Sequence, residues 1–214
     1  SYLSDRKQFV AINGVHSSFS PVDVGVPQGS NIGPLLFLLF INDLGNLKLL
    51  GTPRLFADDT ALFYPRSSVQ SIVDDIESDL ASLIEYFNGN RLSLNLTKTK
   101  YMIFHSARKK ISQHPDPFVR SFHIEKVESF KYLGLHLDSC LSWDTHLKHV
   151  SSKVSSLCGL MKRVRCFVPN VALLRFYFAC IHSILQYLVS VWGHASKSKI
   201  KKIQTLQNRC VKVI

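Results

Sequence analysis

The alternation of hydrophobic and polar positions divides the chain into a first part of short strands and helices and a second part that is helical. From Ser67 to Asn88, apolar residues recur at helical spacing, which predicts a long amphipathic helix capped by Gly89. The run Leu35–Leu44 follows Pro34 and is apolar nearly all round, so we expect a short buried helix there. The long helix also carries four acidic residues that are typical of a solvated face, namely Asp74, Asp75, Glu77 and Asp79.

Two pairs of β-prone runs in the first part flank turn signals. Asn13-Gly14 separates the strand predicted over Gln8–Ile12 from the one predicted over Ser18–Val24, and predicts a hairpin. Asp58-Asp59 separates the strand predicted over Arg54–Ala57 from the one predicted over Thr60–Tyr64. The remaining expectations, in chain order, are a strand that ends at Phe104, an exposed basic loop over 107–120, a strand over Phe130–Leu137, and helices over roughly 143–165, 169–189 and 196–213. Together these elements predict an α+β fold.

No apolar stretch predicts a membrane span. Leu35–Leu44 is too short, and Phe167–Trp192 is interrupted by polar and basic residues such as Arg175, so it is predicted to be a core helix. The chain begins with Ser1 and shows no leader, so we expect a fragment of an intracellular protein. Five cysteines lack the spacing of a metal finger, so we expect reduced, mostly buried thiols and no zinc: Cys140, Cys158, Cys166, Cys180 and Cys210.

The net charge of +11 lies entirely in the second part of the chain. Residues 1–138 carry fourteen basic and fourteen acidic residues, whereas residues 139–214 carry twelve basic residues and one acid, Asp144. Such asymmetry indicates an anionic partner, most often a nucleic acid. The alternative for any single lysine is a solvated helix face.

The adjacent aspartates Asp58 and Asp59 lie between two apolar runs. Two carboxylates side by side repel each other, and apolar surroundings increase that cost. Mg²⁺ removes the conflict, because it prefers oxygen ligands and typically binds one or two carboxylates together with phosphate oxygens. The pair therefore suits nucleotidyl transfer, although aspartate is also a common turn residue for local reasons.

The residues around this pair resemble the reverse transcriptases of non-LTR (LINE-type, jockey-like) retrotransposons. Phe56-Ala57-Asp58-Asp59 resembles the family's palm motif. The other stretches that resemble the family, in the same order, are Ser1–Gln8, Gly25–Ser30 continuing through Gly33–Phe37 to Ile41–Leu44, Leu94–Thr99, Tyr132–Gly134, and Leu141 onward. The resemblance covers nearly the whole chain.

The resemblance implies a partial polymerase palm, an antiparallel sheet with helices, over residues 1–138, and a helical basic thumb and post-thumb region over residues 139–214. It implies an RNA template, a DNA primer, deoxynucleoside triphosphates and Mg²⁺ (or Mn²⁺), in a ribonucleoprotein of the nucleus or cytoplasm. The resemblance implies that Asp58, Asp59 and Lys98 are catalytic and that the two aspartates also bind the metal. It implies that the nucleotide or template is bound by Pro27, Gln28, Gly29 and Ser30, and the primer by Phe56, Ala57, Leu133 and Gly134. The residues implied to contact the phosphate backbone are Lys148, Lys153, Lys162, Arg163 and Arg165.

Several of these residues have a plain structural alternative. Gln28 is otherwise a solvated loop amide, and Lys98 is otherwise a surface lysine. Phe56 suits the core nearly as well as a primer contact, and Gly134 is otherwise a bulge in a strand. The two tryptophans, Trp143 and Trp192, are expected in the core rather than as base-stacking platforms.

One part of the family's site has no counterpart here. The family's palm has a third catalytic carboxylate on an earlier strand, and neither Asp5 nor Asp23 stands in a matching context. We therefore expect little or no polymerase activity from this chain alone. The alternative function is a non-catalytic remnant that binds nucleic acid through its basic helices.

Overall fold

The computed structural model of the chain describes residues 2–109, 111 and 114–214. Helices and strands are mixed, and the chain forms two units that are described separately. The first unit contains the residues up to Leu94 together with Pro117–Ser121, and the second contains Asn95–Asp116 and Phe122–Ile214. Four residues of predicted segments lie outside the described residues: Ser1 of the first motif, and Lys110, Ser112 and Gln113 of the basic loop.

The elements of residues 2–94 alternate as the pattern predicts. In chain order they are β1 Arg6–Gln8, β2 Ala11–Ile12, β3 Val15–His16, β4 Ser20–Val22, α1 Gly33–Phe40, a 3₁₀ helix Asn42–Asn46, β5 Thr52–Phe56, β6 Asp59–Phe63 and α2 Val69–Gly89. The predicted turn at Asn13-Gly14 is confirmed, because β2 pairs antiparallel with β3 and both turn residues have positive φ. The predicted second strand, Ser18–Val24, is wrong as the partner across this turn, since Ser20–Val22 pairs with β1 instead.

The elements from residue 95 onward end in a run of helices. They are β7 Lys100–Tyr101, β8 Phe118–Val119, β9 Phe122–His123, β10 Glu125–Lys126, β11 Ser129–Tyr132, β12 Leu135–Asp138, α3 Asp144–Val164, α4 Asn170–Phe176, a π-helix Tyr177–His182, α5 Ser183–Gln186, α6 Val189–Trp192 and α7 Lys197–Val211. The predicted helix over 169–189 is therefore divided into shorter pieces. Throughout the described residues the strands pair only two by two, and no larger sheet forms.

The helix α1 contradicts the expectation of burial. Leu39 is 66% exposed, and Leu35, Leu38 and Phe40 are also exposed, so that Gly33 is its only buried residue. The sequence is apolar on every side of this helix, and burial of such a surface needs neighbours on every side. The described residues of the first unit leave most of that surface uncovered.

The core of the second unit lies between α3 and the helices that follow it. Both tryptophans belong to this core, as predicted, with Trp143 8% and Trp192 3% exposed. All five cysteines are free, but only Cys158 and Cys210 are buried, so the expectation of mostly buried thiols was wrong. The predicted exposed loop over 107–120 is also buried in part, at Pro117 and Val119.

The segment predicted as one strand over Phe130–Leu137 is a hairpin. The strands β11 and β12 pair antiparallel, with Tyr132 opposite Leu135, so Leu133 and Gly134 form a two-residue turn. Leucine is not a typical turn residue, which is why the apolar run predicted a continuous strand. Among the residues that the structure covers, no helix is both long and apolar enough to cross a membrane.

Candidate active site

The two aspartates lie at the tip of the hairpin β5–β6, one residue away from the predicted arrangement. Phe56 pairs with Asp59, so the turn consists of Ala57 and Asp58, and Asp59 begins β6. Ala57 has a φ of 52°, which an alanine adopts at a cost of about 1–2 kcal/mol. Alanine is therefore an unfavourable turn residue and aspartate a favourable one, which is why the sequence predicted the turn at Asp58-Asp59 rather than at Ala57-Asp58. Phe56 is 62% exposed, so the core interpretation of this residue is wrong.

The base of the same hairpin is fixed by Asp79 of α2. One carboxylate oxygen accepts a hydrogen bond from the Leu50 backbone N–H at 2.9 Å. The other accepts from the Gly51 N–H at 2.8 Å and from the Tyr64 hydroxyl at 3.0 Å. Leu50 and Gly51 precede β5, and Tyr64 follows β6, so a single carboxylate holds both ends of the hairpin.

This role was missed by the sequence analysis, which assigned Asp79 to a solvated face. Asp79 is only 2% exposed, and its three donors compensate the cost of burying a charge. Burial first, and then the nearby Asp79 carboxylate, raises the pKa of Tyr64 far above its usual value, so that the phenol stays protonated and donates. A Cβ at Gly51 would lie 2.6 Å from the Tyr64 ring, so only glycine fits there.

The two aspartates at the tip differ from Asp79 in having no protein donor. Asp58 and Asp59 are exposed, and within the described residues neither side chain forms a hydrogen bond or an ion pair. Two free carboxylates suit Mg²⁺, which binds one or two carboxylates and takes its other ligands from water and phosphate. Within that part of the chain no group of three or more His, Cys, Asp and Glu side chains could hold a metal ion by itself.

The loop that contains Pro27–Ser30 forms a tight turn ahead of α1. The Ser30 backbone N–H donates to the Pro27 carbonyl at 3.2 Å, and the Ser30 Oγ accepts from the Gly33 N–H at 3.1 Å. Gly29 has a φ of 78°, a conformation that glycine adopts without strain. Gln28 is exposed, and its amide has no hydrogen-bond partner among the described residues.

Arg6 holds this loop from the strand β1. Its Nη2 donates to the carbonyl of Val24 at 3.1 Å and to that of Gly25 at 2.6 Å. The Tyr2 hydroxyl donates to Ser30 Oγ, so the N-terminal segment contacts the loop at two points. Both residues lie in the stretch Ser1–Gln8 identified in the sequence, but no role was predicted for either, because hydrogen bonds to a distant loop leave no local pattern.

Lys98 lies in a turn organised by Asn95. The Lys98 backbone N–H donates to the Asn95 carbonyl and to its side-chain oxygen, both at 3.1 Å. The Thr97 hydroxyl donates to the same side-chain oxygen at 2.7 Å. The Lys98 side chain is exposed and forms no ion pair with a described residue, so it is available to an anion.

The turn at Leu133-Gly134 has positive φ at both residues, 45° and 82°. Two-residue hairpin turns of this form favour Asn-Gly, and leucine in the first position is unusual. Glycine is favoured at position 134 because the second residue of this turn has positive φ. The alternative of a bulge within one strand was wrong.

The basic residues proposed to contact phosphates are exposed, and within the described residues none of them forms an ion pair. Successive residues of α3 are about 100° apart around the helix axis, which places Lys148 and Arg163 on the side that faces away from the buried residues and Lys153 and Lys162 on the flanks. Lys199 behaves differently, because it pairs with Asp144 at 2.9 Å and donates to the Ser142 carbonyl at 3.0 Å. The only acid of residues 139–214 is therefore neutralised locally.

Comparison with known proteins gives the family of this chain. Residues 2–137 match the family model described as reverse transcriptase (RNA-dependent DNA polymerase). The chain belongs to this reverse transcriptase family.

Similar proteins from Drosophila melanogaster extend over the whole chain. The probable RNA-directed DNA polymerase from transposon BS is 30% identical over 226 residues, covering 100% of this chain and 25% of the relative. The probable RNA-directed DNA polymerase from transposon X-element is 27% identical, covering 100% of the chain and 24% of the relative, and the RNA-directed DNA polymerase from mobile element jockey is 25% identical with the same coverage. The chain thus spans about a quarter of the length of the curated relatives it matches. No solved structure matches it.

Proposed function

We propose that this chain is part of a non-LTR retrotransposon polymerase that copies RNA into DNA by adding deoxynucleotides to a primer 3′-hydroxyl. Residues 1–138 form the remainder of the palm, and residues 139–214 form the thumb and the region after it. The observation that supports this most directly is the hairpin tip, where Asp58 and Asp59 are exposed without protein donors while Asp79 fixes the base.

Asp58 and Asp59 hold Mg²⁺ or Mn²⁺ through their carboxylate oxygens. When bound, the metal lowers the pKa of the attacking hydroxyl and stabilises charge on the leaving pyrophosphate. Lys98 neutralises the developing pyrophosphate charge or donates a proton to it. Its exposed side chain and ordered turn support this role.

The remaining site residues bind the substrates. Gln28, with Pro27, Gly29 and Ser30, contacts the incoming nucleotide or the template, and its unpaired amide offers both a donor and an acceptor. Two further groups contact nucleic acid: Phe56, Ala57, Leu133 and Gly134 meet the primer, and Lys148, Lys153, Lys162, Arg163 and Arg165 meet the phosphate backbone.

The direct test is Mn²⁺ binding, measured by electron paramagnetic resonance in the presence of a deoxynucleoside triphosphate. Changing Asp58 and Asp59 to Asn together should weaken Mn²⁺ binding about tenfold or more, because both hard ligands are lost. The matched control changes Asp74→Asn and Glu85→Gln, two exposed acids of α2, and should leave binding unchanged. Equal binding by the two double variants would reject the metal site.

The second candidate function is nucleic-acid binding without catalysis, and the exposed basic residues of the second unit favour it. The prediction that this chain alone extends primers little or not at all remains a prediction. Primer extension by the chain, abolished by the Asp58/Asp59 double variant, would decide for the polymerase. Binding that survives the double variant, with no extension by either protein, would decide for the binding remnant.

A further inference from the structure

The turn Leu133-Gly134 is held by a tyrosine from a distant part of the chain. The Tyr187 hydroxyl donates to the Leu133 carbonyl at 2.7 Å, across 54 residues of sequence. The Tyr187 ring also lies against Gly134, where a Cβ would be 3.1 Å from Cε1 of the ring. Tyr187 therefore contacts both residues of the turn.

The turn needs such support because its own sequence does not favour it. The chain contains a second turn with almost the same backbone, Asn13-Gly14, whose φ values are 50° and 82°. Asparagine adopts positive φ readily, whereas leucine does so at a cost. The turn Asn13-Gly14 is therefore favoured by its own residues, whereas Leu133-Gly134 requires a contact from another part of the chain.

Tyr187 is itself fixed. It lies between α5 and α6, and its backbone carbonyl accepts a hydrogen bond from the indole Nε1 of the buried Trp192 at 2.8 Å. The side chain is 50% exposed, so it lies at the surface rather than in the core. The contact thus ties a surface turn to the packed helices of the second unit.

The orientation of one peptide follows from this contact. In a planar trans peptide the carbonyl and the next N–H point in opposite directions. Because Tyr187 holds the Leu133 carbonyl, the Gly134 N–H faces away from Tyr187, and it has no partner among the described residues. A backbone N–H fixed in this way is a donor for a phosphate oxygen.

Building on the primer contact in the proposed function, we propose that Tyr187 is a positioning residue that orients the Leu133–Gly134 peptide so that the Gly134 N–H binds a phosphate of the primer strand. Tyr187→Phe removes only the hydroxyl. Loss of this hydrogen bond should weaken binding of a fluorescein-labelled DNA primer annealed to an RNA template about fivefold at fixed salt. Binding of the same RNA without primer should not change.

The matched control is Tyr177→Phe, which removes a hydroxyl that accepts a hydrogen bond from Gln207 in the same unit. It should leave primer–template binding unchanged. The rescue variant is Leu133→Asn in the Tyr187→Phe background, which recreates the Asn-Gly turn of residues 13–14. It should restore affinity to within about twofold of the original chain, because the turn then forms by local preference. A purely structural tyrosine would not be rescued in this way.

A DNA primer whose phosphates near the 3′ end are replaced by neutral methylphosphonates separates the two hypotheses, because it removes phosphate charge without altering the turn or Tyr187. If this primer binds more weakly and Tyr187→Phe does not weaken binding, the positioning role is wrong and the primer contact stands. If neither change weakens binding, the primer contact itself is wrong. If Tyr187→Phe weakens binding but Leu133→Asn does not rescue it, Tyr187 acts in another way and the positioning role is rejected.

Discussion

The hairpins β5–β6 and β11–β12 carry the proposed metal and primer residues, and they are stabilised at opposite ends. Each has a residue with an unfavourable positive φ at its tip, Ala57 in the first and Leu133 in the second. In the first hairpin, Asp79 fixes the base and the tip aspartates have no described partner. In the second, Tyr187 binds the tip itself.

The difference corresponds to what each tip is proposed to bind. Metal ions need free carboxylate oxygens, so protein donors at the tip would compete with the metal, and the hairpin is held from its base instead. A phosphate that binds a backbone N–H needs a peptide of fixed orientation, so the second tip is held directly. The following predictions change residues that support or form the two hairpins, and each states the expected effect on stability or metal binding.

The largest effect is expected for Asp79→Ala, which removes the support of the first hairpin. The Leu50 and Gly51 N–H groups and the Tyr64 hydroxyl then lose their acceptor in a buried site. We expect the free energy of unfolding to fall by roughly 3 kcal/mol, measured by urea denaturation. Amide hydrogen exchange in β5 and β6 should accelerate, whereas exchange in β11 and β12 should change less.

The control for Asp79 is Asp74→Ala on the same helix, where an exposed carboxylate accepts a hydrogen bond from the Gln70 side chain and has no other side-chain partner among the described residues. It should change stability by no more than about 0.5 kcal/mol. If both variants are equally stable, Asp79 does not support the hairpin.

Sequence periodicity predicted the long helices well because their evidence is local. The helices α2, α3 and α7 begin and end within two residues of the predicted bounds, since each has an extended apolar face. Asp79 was mispredicted because its burial depends on Leu50 and Gly51, 29 and 28 residues earlier. The burial of α1 was mispredicted for a similar reason, because an apolar helix surface does not show whether other parts of the chain cover it.

The candidate site was predictable only where its residues form short continuous motifs. Phe56-Ala57-Asp58-Asp59 and the Pro27–Ser30 loop could be identified from such motifs, and their roles remain predictions. No role was predicted for Arg6, although it lies in the stretch Ser1–Gln8, or for Tyr187, because each binds backbone carbonyls that lie far away in sequence. Long-range pairings of this kind leave no periodic signal.

An effect of intermediate size on the free energy of unfolding is expected from a change of pH, through histidines at the second hairpin, β11–β12. The His136 N–H of β12 donates to Nδ1 of the buried His146 at 3.4 Å. Burial first, and then His136 and His149, lowers the pKa of His146 below its usual 6.5. The unfolded chain then binds protons more readily than the folded one, so the free energy of unfolding should fall as the pH drops below about 6.5. Urea denaturation between about pH 8 and pH 5 measures this slope.

The pKa of His149 is also lowered, with burial as the largest cause. His149 therefore contributes to the fall in the free energy of unfolding at low pH in the same direction as His146. His146→Leu should therefore reduce the slope without abolishing it. His194→Gln, which changes an exposed histidine of the same unit, should leave the slope unchanged. An unaltered slope in His146→Leu would show that the pH dependence has another origin.

The smallest effect is expected for Ala57→Gly at the tip of the first hairpin. Relief of the positive φ gains about 1–2 kcal/mol, and the added chain entropy of glycine costs about 0.5–1 kcal/mol, so stability should rise by about 0.5 kcal/mol. The freer turn should at the same time weaken Mn²⁺ binding about twofold, because Asp58 is held less firmly beside Asp59. Ala61→Gly within β6 is the control, since its extended backbone carries no strain and glycine there should only destabilise. A loss of stability in Ala57→Gly would mean that the left-handed alanine is not strained, and the two hairpins would then differ in their tips as well as in their supports.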